Sequence, residues 1–203
     1  MYSLIPVVCA QDITALVRAL PGSVAQGLIW GIMAIGVFLT FKILDFADLT
    51  VDGTMATGGV VTVMLILKGW NPVAAVAVAF VAGMLAGLIT GILHTVLGIP
   101  DILAGILTQL SLYSINLNIS EGKANQAVNV DMYKLVVSGR DNPAAIVTVV
   151  IILLVVIALM YWFFGTELGC SLRATGCNPN MSRAQGINTN RNKVLGLMIS
   201  NGL

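Results

Sequence analysis

Residues 144–164 make a run of 21 positions behind Pro143 in which only Thr148 and Tyr161 are polar. At about 1.5 Å per residue, a helix of this length reaches roughly 31 Å, the thickness of the hydrocarbon layer of a bilayer. Tyr161 and Trp162 stand at one end, where amphipathic rings settle at a membrane surface. The rest of the chain agrees with this run. Of its 203 residues 58% are hydrophobic and 9% charged, and the mean hydropathy is +0.96. An ordinary soluble domain carries about 25% charged residues, enough to coat itself with polar groups. This chain has too few. In hydrocarbon a backbone finds its partners inside helices or closed barrels, and runs of this length select helices. The expectation is an all-α, polytopic transmembrane helix bundle.

Residues 24–41 and 72–93 read as two further spans. Residues 53–67 and 102–117 are shorter and more polar. A last apolar helix opens at Val194 and the sequence stops ten residues later, so the chain is read as C-terminally truncated or incompletely represented. Residues 1–21 are taken as an N-terminal extension or interfacial segment, and 22–203 as the membrane domain. The stretch before Cys9 lacks a basic leading region and the small residues of a lipoprotein site, which disfavours a cleaved signal. Arg173, Arg183, Arg191 and Lys193 all follow the 144–164 span, which puts the loop 165–193 in the cytoplasm. Counting back, residues 118–142 and 68–71 lie outside, and residues 97–101 and Lys42 inside.

A net charge of +1 argues against nucleic acid or any other polyanion as partner. Cys9, Cys170 and Cys177 show no metal-ligand spacing. The latter two flank the cytoplasmic segment and are expected to stay reduced. His94 is the sole histidine and reads as a helix-end residue. No catalytic residue, cofactor or metal site is expected.

Gly83, Gly87 and Gly91 repeat every four residues, as do Gly27 and Gly31. In lipid, where burial of apolar surface drives little, smooth stripes of this kind let helix backbones approach closely. Packing within one subunit is the expected use, and a contact between subunits is the other.

Two polar interruptions bear on function. Residues 42–53 separate two apolar runs without an obvious turn and hold Asp45, Asp48 and Asp52. Carboxylates so close to hydrocarbon are costly unless they face water, protein or helix ends. Asp48 and Thr50 read as N-caps of the helix that includes residues 55–67, with Asp52 in its first turn. That helix is too short to span alone. It either starts partway into the membrane, presenting free N–H groups and a positive dipole end to a polar cavity, or follows an ordinary loop. In the second interruption Pro100 breaks the chain and Asp101 caps. Thr108, Gln109, Ser111, Tyr113 and Ser114 then run through the helix. Lone hydroxyls in membrane helices bond back to their own backbone, but five polar side chains in seven positions exceed that need. Thr108, Ser111 and Ser114, with Gln109 on the flank, are expected to line a pathway, and Tyr113 to be a packing or interface residue.

Residues 172–188 form a cationic segment that carries its own helix punctuation. Asn178 can N-cap, Pro179 suits the first helical position, and Gly186 can close the far end in the left-handed conformation. A two-turn helix over residues 179–185 is expected, standing outside the membrane.

Three motifs together resemble the permease subunits of bacterial ABC importers, in the superfamily that handles branched-chain amino acids and monosaccharides. Phe46-Ala47-Asp48-Leu49-Thr50-Val51-Asp52-Gly53-Thr54-Met55-Ala56 is similar to the Asp-Leu-Ser-Val-Gly stretch of the sugar members and keeps the Asn-Phe-Ala-like opening of the amino-acid members. Residues 99–108 resemble their Pro-x-Ile-x-Thr-Leu helix start. Residues 169–188, with Leu-Arg-Ala-x-Gly-x-Asn-Pro and Arg-Ala-x-Gly-Ile-Asn, are similar to their cytoplasmic coupling loop. Asp52 replaces a glycine of the sugar-type motif and Asp101 an apolar residue, which favours the amino-acid branch.

The resemblance implies a helical permease half, with discontinuous or re-entrant helices, in the inner membrane of a bacterium. It would pair with a second permease subunit, identical or not. Two cytoplasmic ATPases would dock on it, and an extracytoplasmic solute-binding protein would deliver a small polar solute. Arg173, Gly176, Asn178, Pro179, Met181, Arg183 and Gly186 would then form the ATPase-coupling element. The chain itself would be no enzyme. The alternatives are a monosaccharide permease of the same build and an ion-coupled secondary transporter using Asp45, Asp48, Asp52 or Asp101. A membrane-embedded enzyme would need a paired nucleophile and base that the sequence lacks.

Overall fold

The computed structural model describes the backbone of residues 5–123 and 142–203, and the side chains of residues 20–123 and 146–203. Among these residues there are eight α-helices, one π-helical turn and no strand. The helices are α1 (Ile5–Phe38), α2 (Val51–Leu67), α3 (Pro72–Thr95), α4 (Asp101–Ile119), α5 (Asn142–Phe164), α6 (Glu167–Cys177), α7 (Pro179–Ala184) and α8 (Thr189–Gly202). Four stretches are long and apolar enough to cross a membrane: Leu20–Ile43, Pro72–Thr95, Asp101–Ile119 and Ile146–Phe164. The expected all-α polytopic bundle is what forms. The backbone is helical from Ile5 and runs through Pro21 without a break, so it shows no boundary at the expected end of an extension. Most of the expected outer loop 118–142 lies outside the described residues.

The first polar interruption is a helix ending. After α1 the backbone widens into the π-helical turn Leu39–Ile43. Asp45 then adopts the left-handed conformation, with φ +52. The Phe46 amide reaches back to the Thr40 carbonyl at 3.0 Å. A short polar side chain can sit in this region where a branched one would strain. The chain then runs non-helically from Phe46 to Thr50 before α2 begins.

α2 and α3 are antiparallel neighbours joined by the tight connection 68–71, where Asn71 caps α3 by accepting the Val73 amide at 3.0 Å. Their outer ends are therefore level. α3 has 24 residues and α2 has 17, so α2 stops about 10 Å short of the other end of α3. This helix starts inside the bundle.

α8 packs most closely on α3. A methyl group added at Gly83 would overlap the Asn201 carbonyl, one at Gly87 the Leu197 carbonyl, and one at Gly91 would press on Val194 at 3.0 Å. The Gly83–Gly87–Gly91 stripe is thus a backbone-on-backbone seam within the chain. Gly27 and Gly31 differ: among the described residues nothing lies within 4 Å of a methyl group added at either. α8 was expected to be apolar from Val194, and its buried face does carry Leu197, yet beside it stand Gly196, Ser200 and Asn201, with Thr189 and Asn192 buried before Val194. α5 sits at the margin. Among the described residues its contacts are with α1 and α6, and 6% of its most apolar stretch is buried.

The ends of α1, α3 and α5 gather at one end of the bundle with α6, α7 and the starts of α4 and α8. Gly176 of α6 lies against the Ile43 carbonyl of the π-helical turn. Leu44, Phe46, Leu172 and Leu197 close a small apolar core there, with Phe163 against it.

The seam makes a direct prediction. Gly87→Ala should destabilise the protein by about 1–3 kcal/mol, because the added methyl meets backbone that cannot give way. Gly27→Ala should be neutral or stabilising by about 0.5–1 kcal/mol, through helix propensity alone. Thermal unfolding of both variants in detergent, followed by circular dichroism, checks the contrast.

Candidate functional site

Where α2 begins, a cavity of about 200 Å³ opens between α1, the non-helical segment and α4. Met33, Val37, Leu49 and Val51 give it apolar walls, and Asp48, Asp52 and Gln109 make it polar. The segment reaches this depth because α4 lets it. A methyl group added at Gly105 would stand 2.9 Å from the Leu49 nitrogen, and one at Gly53 would stand 3.2 Å from the Gln109 Cα.

The carboxylates have separate duties. Asp48 Oδ1 accepts the Thr50 amide at 2.8 Å, and its Oδ2 accepts the Asn201 Nδ2 at 2.6 Å. Asp101 Oδ2 accepts the Ala47 amide at 3.4 Å. Both therefore hold the backbone of the break. Neither performs the side-chain capping expected of it. Thr50 occupies the N-cap position of α2 but makes no side-chain cap bond, and Pro100 occupies that of α4. Asp52, in the first turn of α2, is exposed at the cavity.

The Thr50 hydroxyl turns away into the protein. It meets the Thr90 hydroxyl at 3.1 Å, Thr90 meets Thr108 at 3.0 Å, and Thr108 donates to the Ala104 carbonyl at 3.0 Å. Read as Thr50 donating to Thr90, Thr90 to Thr108 and Thr108 to Ala104, each proton has an acceptor. This chain is buried, with Thr50 and Thr90 fully enclosed and Thr108 2% exposed. It separates the residues expected to line a pathway. Thr108 belongs to the packed interior, not to an open face. Gln109 reaches the cavity. Ser111 and Ser114 lie on the exposed outside of α4, and Ser111 donates to the Leu107 carbonyl at 2.9 Å. Tyr113 is 65% exposed among the described residues, on the outer face of α4.

A second arrangement lies at the loop-rich end. α7 is six residues long, with Asn178 accepting the Met181 amide at 3.0 Å and Pro179 in the first turn. Gly186 ends it at φ +82, with the Ile187 amide on the Ser182 carbonyl at 3.0 Å. Except for Ser182 its residues are exposed, and Met181 is 59% exposed. The segment before it, expected to be a loop, is the helix α6. This changes the place of two residues expected in the coupling element. Arg173 donates to the Phe164 carbonyl at 3.0 Å and stacks over the Phe164 ring, closing the end of α5. Gly176 lets α6 approach the π-helical turn. Arg183 leans on the start of α8, with Nε donating to the Thr189 hydroxyl at 2.8 Å.

His94, read from sequence as a helix-end residue, is a junction. Its Nδ1 donates to the Ile99 carbonyl at 2.9 Å, and since a carbonyl only accepts, Nε2 is left to accept from Lys193 Nζ at 3.0 Å. The ring meets Phe46 edge-on at 5.0 Å. A larger hollow of about 450 Å³ lies nearby, between Thr95, Val96, Arg191 and Leu195. It lacks the carboxylates and the helix break of the smaller cavity. Among the described residues no group of three or more His, Cys, Asp or Glu could hold a metal ion.

A family model described as branched-chain amino acid transport system / permease component matches residues 20–203. The chain is 42% identical over 178 residues to a tyrosine transport system permease protein of Clostridioides difficile (strain R20291). That match covers 88% of this chain and 59% of the relative. It is 33% identical over 178 residues to an uncharacterized protein of Rickettsia prowazekii (strain Madrid E), covering 88% of this chain and 62% of the relative. The chain thus spans about three fifths of the length of these curated relatives. No solved structure matches it.

Thr90→Val should destabilise the fold by about 1–3 kcal/mol, since it strands the Thr50 hydroxyl in a dry interior. Thr90→Ser should recover most of the loss. Melting temperatures in detergent for the two variants test the buried hydroxyl chain.

Proposed function

The chain belongs to the branched-chain amino acid transport system permease family, and from that premise we propose that it is the permease subunit of an ATP-driven importer of an amino acid. It sits in the bacterial inner membrane. It pairs with a second permease subunit, receives solute from an extracytoplasmic binding protein, and is driven by two cytoplasmic ATPases. The observation that carries this reading is α7: a helix of six residues, stopped at both ends and exposed. A helix that short has no stability of its own. Its caps make sense as a means of holding a rigid knob out to a partner. Pro179, Met181 and Arg183 form the knob, Asn178 and Gly186 set its ends, and Arg173 and Gly176 support it from α6.

The cavity at the start of α2 fits the same reading. A zwitterionic amino acid carries an ammonium, which Asp48 and Asp52 can attract, and Gln109 offers both a donor and an acceptor. Met33, Val37, Leu49 and Val51 suit an apolar side chain. The tyrosine named for the Clostridioides relative supports an aromatic amino acid as the solute. A few polar contacts are enough where a separate protein holds the specificity, because tight binding in a path slows release. Ser111 and Ser114, exposed on α4, extend the polar surface toward the second subunit.

One observation favours ion coupling instead: Asp48 and Asp52 stand at a helix break within the bundle. The two readings part on their energy source. The full-length protein should bring down an ATPase subunit when purified, and in proteoliposomes uptake should require ATP and ignore imposed proton or sodium gradients. Uptake driven by a gradient without ATP would sink the importer reading. Gly186→Val combined with Arg183→Glu should cut ATP-driven uptake at least tenfold while membrane insertion stays normal. The valine strains a left-handed residue by about 1–2 kcal/mol, and the glutamate reverses the charge of the knob. Normal uptake in this variant would remove α7 from the coupling role.

A further inference from the structure

Two neighbouring residues at the last turn of α8 hold opposite sides of the cavity. Ser200 donates to the Gly36 carbonyl of α1 at 2.7 Å, between Met33 and Val37 on the cavity wall. Asn201 donates to Asp48 Oδ2 at 2.6 Å and accepts from the Thr54 hydroxyl at 3.0 Å. Its second amide proton reaches the Leu197 carbonyl at 3.0 Å. Asn201 is 7% exposed, so water does not compete for these bonds. The other end of α8 is fastened to α7, through Arg183 on Thr189 at 2.8 Å and on Asn190 at 3.4 Å. Between these ends α8 is a helix of 14 residues, whose length is set by about 1.5 Å per residue and does not stretch.

We infer that Asn201, seconded by Ser200, is the positioning residue that makes the cavity carboxylate Asp48 follow the displacement of α7. This rests on the reading of the chain as an ATP-driven permease. α8 lies with the Asn201 and Leu197 carbonyls against Gly83 and Gly87, so along this part of the seam its freest movement is lengthwise on α3, against the Lys193–His94 bond near its start. A push at Thr189 arrives about 18 Å away at Asn201. There it shifts the Asp48 carboxylate, and with it the Thr50 amide at the head of α2. The Ser200 bond to Gly36 carries α1 in the same stroke. The cavity thereby opens or closes from both walls when the ATPases move α7.

The test uses the full-length permease reconstituted with its ATPases and binding protein. Asn201→Leu keeps the size of the side chain and removes all three of its polar contacts. It should leave ATPase co-purification and basal ATP hydrolysis within about twofold of the wild type. Solute transported per ATP hydrolysed should fall at least tenfold. Ser200→Ala should show the same uncoupling at smaller amplitude. Asn201→Asp puts two carboxylates in contact, which favours their sharing one proton. Its transport per ATP should be poor at pH 7.5 and recover several-fold at pH 5.5, while its basal ATP hydrolysis and melting temperature follow the wild type at both pH values, which a loss of folding would not allow. An unchanged ratio in Asn201→Leu overturns the inference, as does an Asn201→Asp variant with a wild-type pH profile. If the wild type itself binds no ATPase and needs no ATP, the importer reading has failed, and that result is separable from any effect of Asn201.

Discussion

The close passage of α8 over the glycine seam of α3 is the contact on which the rest of the molecule depends. In a bilayer, two apolar helices gain little by leaving lipid for each other. What they gain is dispersion between backbones, and only small residues permit it. Gly83, Gly87 and Gly91 bring α8 near enough for Asn201 to reach α2 and Asp48, Ser200 to reach α1, and Asn192 to reach Thr175 and Ser171 of α6. Move α8 outward by the width of a methyl group and these bonds all lengthen together. The polar side chains of α8 are thus affordable in hydrocarbon because the seam delivers each one to a partner.

The break before α2 is the complementary problem. A non-helical segment inside a membrane exposes backbone groups that lipid cannot satisfy. Here the Phe46 amide is taken by Thr40, the Ala47 amide by Asp101, the Asp48 amide by the Phe46 carbonyl, and the Thr50 amide by Asp48. Two carboxylates are consumed in this repair, and a third, Asp45, supplies the left-handed residue that starts it. Asp52 is left facing the cavity. The acidic cluster that looks in sequence like one feature is therefore two residues that shape the break, Asp45 and Asp48, and one, Asp52, that faces the cavity, while Asp101 joins the repair from α4.

Much of this was legible in the chain. The apolar runs located the spans, Asn178, Pro179 and Gly186 marked α7 nearly to the residue, and the glycine period at 83–91 announced a seam. What was hidden had physical reasons. Gly27 and Gly31 show the same spacing as the seam, since period alone does not say whether a partner exists. Thr108 looked like a pathway residue because a hydroxyl that closes a buried chain with Thr50 and Thr90 has the same letter as one that meets water. Gly105 carries no signal in the sequence, and Gly176 gives no sign there of the turn it packs on. Their role is a close approach to backbone far away in sequence, at Leu49 and Ile43, and no local pattern encodes that. α6 escaped notice for a similar reason: its caps are Thr166 and Asn178, and the latter had already been spent on α7.

The isolation of α5 has a consequence for how the chain is built. With a mean hydropathy of 3.0 over its best stretch and 6% of that stretch buried, it suits lipid on most of its surface and needs little from its contacts with α1 and α6. During synthesis it can leave the insertion machinery as soon as it is made. α2 and α8 lack that independence. One begins inside the bundle with a carboxylate in its first turn, and the other turns asparagines and serine inward. Both must be sheltered until α3 and α4 are there to receive them. α3 and α4 follow α2 directly in the chain, and the glycine seam of α3 is already made when α8 arrives to lie on it.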